Sequence, residues 1–213
     1  MFLGGYEVFS AMYPENCTAS LPAPIRPIVV EREEIGSPSL SSPEMSRPTQ
    51  ILPNLFLGDS QAAANAELLA SCNITFILNM AEECPNHFEA DPSIKYKKIG
   101  LKDNTEENIR DHLSPAFDFI DEARSRGAAV LVHCLAGKSR SVSIVLAYLM
   151  RQKEWSLKQA YEFVKDKRPG VSPNFGFMGQ LSFLSESLTS PDAEDRPYKR
   201  VYPDVTTPCE VKP

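Results

Sequence analysis

One short segment places two reactive side chains at a spacing suited to nucleophilic chemistry on an anion. In Val130-Leu131-Val132-His133-Cys134-Leu135-Ala136-Gly137-Lys138-Ser139-Arg140-Ser141, an apolar run ends at His133, a loop follows, and a second apolar run begins after Arg140. Cysteine opens the loop and arginine closes it six positions later. A buried strand, a loop and a helix in this order make an anion cradle, because loop amides can converge and the helix dipole adds positive potential. Gly137 permits backbone angles that a side chain resists. Arg140 offers a planar fork of donors for two phosphate oxygens. The same field should lower the pKa of Cys134, and a thiolate is suited to taking a phosphoryl group covalently.

Leu135, Ala136, Gly137, Lys138, Ser139 and Arg140 are therefore the expected phosphate-binding set. Ser139 and Ser141 can donate to the loop or to the sulfur, and Ser141 is expected to help the thiolate leave when a phospho-cysteine is hydrolysed. His133 is expected to orient the loop through hydrogen bonds rather than to carry the substrate proton. The leaving oxygen needs an acid. Asp91, Asp103, Asp111, Asp118 and Asp121 lie at suitable distances along the chain. Asp118 and Asp121 fall on a helix and are expected to be solvated. Asp103, in Gly100-Leu101-Lys102-Asp103-Asn104, leaves a strand in a loop, where it serves equally well as an acid or as a turn residue.

Short apolar runs between polar turns supply the strands: Ile51 to Leu57, Ile74 to Leu78, Tyr96 to Leu101 and Ala128 to Val132. The alanine-rich stretch Asp59 to Ala70 reads as a helix. Ser114-Pro115 reads as the start of another, with serine as cap and proline at the first helical position. Leu113, Phe117, Ile120 and Ala123 mark its apolar face and Gly127 ends it. Val142 to Met150 is apolar nearly all round, so that helix should be central. Ser156 to Gln159 reads as a capping box, Pro169-Gly170 stops the following helix, and Ser172-Pro173 starts one that runs through Leu184. The pattern predicts an α/β domain with a central, mostly parallel sheet flanked by helices.

The chain has 213 residues and a formal net charge of -6, which argues against nucleic acid as a main partner. Its five cysteines (Cys17, Cys72, Cys84, Cys134 and Cys209) are scattered, with no pair spaced for zinc. No apolar run reaches the ~18 residues that span a bilayer. A soluble, reduced, cytoplasmic or nuclear monomer without metal or other cofactor is expected, arginine and amides being enough to neutralise a phosphate. Proline and serine crowd residues 21–48, expected as a linker, and prolines recur through 190–213, expected as a tail; the folded domain is placed at 49–189.

The His-Cys, five residues, Arg, Ser arrangement resembles the signature of the protein tyrosine phosphatase superfamily. The resemblance extends over about Thr49 to Leu188 and is nearest the dual-specificity branch. Leu52-Pro53-Asn54-Leu55-Phe56-Leu57-Gly58 is similar to the opening of such a catalytic domain, and Ser172-Pro173-Asn174-Phe175 with Met178-Gly179-Gln180-Leu181 is similar to the close of a MAP kinase phosphatase domain. It implies the cysteine-based phosphatase fold, Asp103 as general acid, and action on phosphotyrosine and phosphoserine or phosphothreonine of a protein, a MAP kinase first. Asn174 is expected to brace the active-site loops. Leu3-Gly4-Gly5-Tyr6-Glu7-Val8-Phe9, with Tyr13-Pro14-Glu15-Asn16-Cys17, is similar to the end of a rhodanese-like docking domain, placed at 1–20. Lys138 departs from the family, where an apolar residue is frequent. It reads as a solvated lysine, or as added charge favouring a phosphoinositide or an RNA 5′ phosphate. A phosphoprotein-binding scaffold with little turnover is the remaining alternative.

Overall fold

A computed structural model of the chain describes residues Arg47–Thr189. The expectations for 1–20, for 21–46 and for 190–213 lie outside them. Five strands form one sheet: β1 (Thr49–Leu52), β2 (Leu55–Gly58), β3 (Ile74–Ala81), β4 (Lys95–Leu101) and β5 (Ala129–His133). Their order is β1-β2-β5-β3-β4, and only the β1–β2 pair is antiparallel. The expected mostly parallel sheet is therefore present, with β5 at its centre.

Side-chain alternation divides the core. Val130 and Val132 of β5 face a large cluster with Leu55, Leu57, Phe76 and Leu78, while Ala129 and Leu131 face a smaller one with Phe56, Ile74 and Ile77. Two short helices, α1 (Ser60–Ala64) and α2 (Ala66–Ser71), cover the smaller cluster with Ala63 and Leu69. The larger cluster is covered by α3 (Arg110–Ser125), α4 (Arg140–Lys153), α5 (Leu157–Lys167) and α6 (Phe175–Thr189). Every residue of α4 from Arg140 to Met150 is buried, as its all-round apolar run requires. Each fully buried Leu or Ile there contributes about 1.5–3 kcal/mol through the hydrophobic effect.

Several boundaries differ from the sequence expectation, each for a local reason. The single strand over Ile51 to Leu57 is two strands, because Asn54 turns the chain at φ 61° and the pair closes as a hairpin. The helix over Asp59 to Ala70 is two: Asp59 accepts from Ala62 N at 2.8 Å, and Asn65 interrupts to cap α2 by accepting from Leu68 N at 3.1 Å. The start at Ser114-Pro115 is incorrect. Helix α3 begins at Arg110 and carries Pro115 inside it. Asn108 Oδ1 accepts from Arg110 N at 3.0 Å, and Gln180 of α6 accepts from Ile109 N at 2.9 Å while donating to Glu107 O at 2.8 Å. These partners fix the helix start upstream of the serine-proline signal. Likewise α6 starts at Phe175, not at Ser172-Pro173, because the Asn174 side chain accepts from Phe177 N at 2.9 Å. The capping box at Ser156 and Gln159 is formed as expected.

Asp121 overturns its expectation. Asp118 is exposed, but Asp121 is buried between α3 and α4, accepts from Tyr148 Oη at 2.7 Å and pairs with Arg151. Arg124 donates to the same phenol oxygen at 2.8 Å. Burial, with the Asp121 carboxylate beside it, holds the Tyr148 phenol at a pKa of about 12. Removing one partner of a buried ion pair strands the other charge. Asp121→Ala is expected to cost about 3 kcal/mol in urea unfolding, whereas Asp118→Ala stays within about 0.5 kcal/mol of wild type.

Candidate active site

Three neighbouring parallel strands, β5, β3 and the edge strand β4, end on the same side of the sheet, and each delivers a polar residue just beyond its C-terminal end. Glu83 follows β3, Asp103 follows β4 and Cys134 follows β5. Crevices at the carboxyl ends of parallel strands are where α/β sheets bind ligands. The loop from Cys134 to Ser139 then leads into the first turn of α4.

The loop is held from outside. Leu135 O accepts from both Ser60 N and Ser60 Oγ at 3.1 Å, and Lys138 O accepts from Ser172 N at 2.9 Å. A trans peptide places its N–H opposite its C=O, so anchoring these carbonyls outward aims the Ala136 and Ser139 amides to the other side. Gly137 sits at φ 63°, and a Cβ there would lie 2.6 Å from Gly58 O, so glycine is required by conformation and by space alike. The side chains of Leu135, Ala136 and Lys138 are exposed, in line with the solvated reading of Lys138.

Cys134 is buried at the base of the loop, and Ser141 Oγ donates to its sulfur at 3.2 Å. Arg140, 4% exposed, is fixed by a partner that the sequence reading did not single out. Its Nη1 and Nη2 each donate to one carboxylate oxygen of Glu83 at 2.7 Å, and Nη1 also donates to Leu101 O at 3.1 Å. Three of the five guanidinium N–H groups are thereby used. The Nε–H makes no hydrogen bond, and one Nη2–H remains beside it. Those two form the side-on fork that matches a tetrahedral oxyanion. Burial opposes the charge of Arg140, but the Glu83 hydrogen bonds and the nearby Cys134, Glu83 and Asp103 charges outweigh it and raise its pKa. The reciprocal hydrogen bond holds the Glu83 carboxyl below the ordinary carboxylate value.

Of the five aspartates considered, Asp103 is the one that reaches the loop. It accepts from Ser139 Oγ at 2.7 Å and from Asn174 Nδ2 at 2.8 Å, with its other oxygen 3.7 Å from Arg140 Nε. Asn174 also donates through Nδ2 to Asn104 O at 3.1 Å and through its backbone N to Ser139 Oγ at 3.1 Å. It thus ties the Asp103 segment, the cradle and the start of α6 together. Asp91 instead accepts from Ser93 in a surface turn, and Asp111 accepts from Asn108. A pair of glutamates after an apolar strand, Glu82-Glu83, was the available signal for the Arg140 partner, but nothing local says which strand end faces the arginine. Among the described residues no group of three or more His, Cys, Asp or Glu is placed to hold a metal ion.

His133 is buried, with Nδ1 3.4 Å from Cys134 O and Nε2 without a hydrogen bond. The hydrogen bonding expected of it thus reduces to one long contact. Burial dominates and lowers its pKa from 6.5 to about 4, with His87 and Lys98 adding to the shift. The unfolded chain therefore takes up a proton below pH 6.5 that the folded chain refuses until about pH 4. Stability is complete above the higher value and falls as pH drops between the two. Between pH 7 and pH 5, wild type should lose about 2 kcal/mol more unfolding free energy than His133→Gln, measured by denaturant titration at both pH values.

Residues 55–186 match the family described as "Dual specificity phosphatase, catalytic domain". Rat dual specificity protein phosphatase 4 is 43% identical over 195 residues, covering 88% of this chain and 49% of the relative. Human dual specificity protein phosphatase 1 is 42% identical, covering 88% and 53%. The chain spans about half the length of these curated relatives. Among solved structures, human DUSP28 aligns with a TM-score of 0.63 and 34% identity over 67% of this chain and 95% of that one. A mouse dual specificity phosphatase complexed with zinc tungstate aligns with a TM-score of 0.63 and 32% identity, covering 71% and 93%. A strand-loop-helix cradle with a buried cysteine and arginine, matched along most of the described residues by that catalytic-domain family, establishes that the chain belongs to the dual specificity phosphatases.

Proposed function

We propose that the chain hydrolyses phosphotyrosine and phosphoserine or phosphothreonine in a protein, through a phospho-cysteine, with an activated MAP kinase as its first substrate. The observation that carries this reading is the convergence of Cys134, Arg140 with its Nε–H left without a hydrogen bond, and the Asp103 carboxylate at the same end of the parallel strands. That the mouse relative is complexed with zinc tungstate, whose tungstate is a tetrahedral oxyanion like phosphate, supports a phosphate group as the ligand. Similarity of Ser172 through Leu181 to MAP kinase phosphatases supports the choice of substrate.

In the first step the Cys134 thiolate attacks phosphorus in line with the leaving oxygen. The S–P bond forms, the P–O bond breaks, and protonated Asp103 gives its proton to the departing phenol or alcohol oxygen. Arg140 and the inward amides stabilise the charge on the equatorial oxygens. In the second step water attacks phosphorus while Asp103 takes its proton, the S–P bond breaks, and inorganic phosphate leaves. The displaced thiolate is received by the Ser141 hydroxyl, already 3.2 Å from the sulfur. Bonds to Ser139 and Asn174 hold Asp103 within reach of the cradle through both transfers.

A second reading has one observation in its favour. Exposed Lys138 on the loop adds a cation that a phosphoinositide or an RNA 5′ phosphate would use. Turnover of these substrates above that of a doubly phosphorylated kinase peptide would favour it.

Hydrolysis of an aryl phosphate with a chelator present tests the chemistry. Cys134→Ser should abolish turnover, and Asp103→Ala should lower kcat by about 100-fold. Glu83→Gln frees the guanidinium to rotate and should lower kcat/KM by about 10- to 100-fold, since one lost charge-assisted contact is worth about 1.5–3 kcal/mol. A wild type that binds phosphopeptide without turning over aryl phosphate would instead mark a scaffold.

A further inference from the structure

Arg168 is the largest fully buried side chain among the described residues, at 2% exposure, and the mechanism above does not use it. It follows α5 and reaches back beneath the cradle. Its Nε donates to Gly137 O at 3.3 Å, and Nη1 donates to Arg47 O at 3.2 Å and to Thr49 Oγ1 at 3.0 Å. Its Nη2 lies 4.0 Å from Asp59 Oδ2, and a Cβ on Gly137 would come within 2.8 Å of it. The guanidinium therefore passes directly behind the glycine of the loop. Burying a cation so completely is costly unless its position does something that an apolar residue could not.

We infer that Arg168 is a positioning residue for the phosphate loop, which turns the Gly137 carbonyl out of the cradle and so aims the Lys138 amide into it. The geometry follows from the planarity of the peptide, whose N–H opposes its C=O. Ser60 does the same for Leu135 O and Ser172 for Lys138 O, both with exposed or backbone donors. Only at Gly137 does the anchor come from a buried side-chain cation. A guanidinium suits the task because its fork serves Gly137, Thr49 and Arg47 at once, whereas an ammonium is a point donor. Burial pushes the Arg168 pKa below the ordinary arginine value, and the Asp59 carboxylate and the Cys134 sulfur partly restore it, which places this second cation in the electrostatic reach of the nucleophile.

The inference rests on reading the loop as an oxyanion cradle, and its test is binding rather than turnover. The probe is sodium tungstate, titrated calorimetrically into the full chain. Arg168→Lys keeps the buried cation but not the fork and should weaken tungstate binding at least 5-fold; Arg168→Met should weaken it further. Val164→Ala, in the last turns of α5 and buried, controls for general loosening of that helix and should leave tungstate affinity within 2-fold. Wild-type affinity in folded Arg168→Lys overturns the inference and leaves the cradle standing. So does an equal loss in Val164→Ala. Absence of tungstate binding by the wild type overturns both.

Discussion

A set of backbone amides can face one anion only if the carbonyls on the far side of the same peptides are satisfied elsewhere. That constraint organises this molecule. The loop between β5 and α4 is six residues long, too short to satisfy its own carbonyls, so donors arrive from distant parts of the chain: Ser60 at the start of α1, Arg168 after α5, Ser172 before α6. The helices around the sheet thus serve the site as well as the core. Gly137 is the pivot of the arrangement, left-handed at φ 63° and pressed against Gly58 O from below.

Charge is arranged with the same economy. Arg140 lies at the first residue of a buried helix, where an unpaired guanidinium would be expensive. Glu83 and Leu101 O stabilise it, and by occupying three of its donors they leave the Nε–H, on the side of Asp103, without a hydrogen bond. Glu83 is itself partly exposed, so its pairing with Arg140 does not bury a second full charge. Asp103 is held differently. It hangs from Ser139 and Asn174 by hydrogen bonds from neutral donors, with the arginine at 3.7 Å, so Cys134 and Arg140, from the two ends of one loop, meet a carboxylate that comes from beyond β4.

Sequence patterns foresaw the order of elements better than their ends. The all-round apolar run of α4 and the capping box of α5 were legible because both signals are local. The start of α3 was misread, since its first turn is fixed by Gln180 from another helix rather than by the serine-proline signal within it. Asp121 was misread for a related reason. On one helix it looks like Asp118, and only the packing of α3 on α4 brings Tyr148 and Arg151 to one of them.

What the sequence by itself determined is the make-up and setting of the loop. Cysteine, glycine, arginine and serine at fixed spacing between an apolar strand and an apolar helix leave few other uses for those residues. The pairing of Asp103 with the cradle was an open question on its residues and became definite through resemblance; its bonds to Ser139 and Asn174 span 36 and 71 positions. Glu83 and Arg168 were decided by tertiary structure alone. Their partners lie 57 and 31 positions away, and no spacing rule announces a contact made only when parallel strands fix which strand ends and helix ends meet.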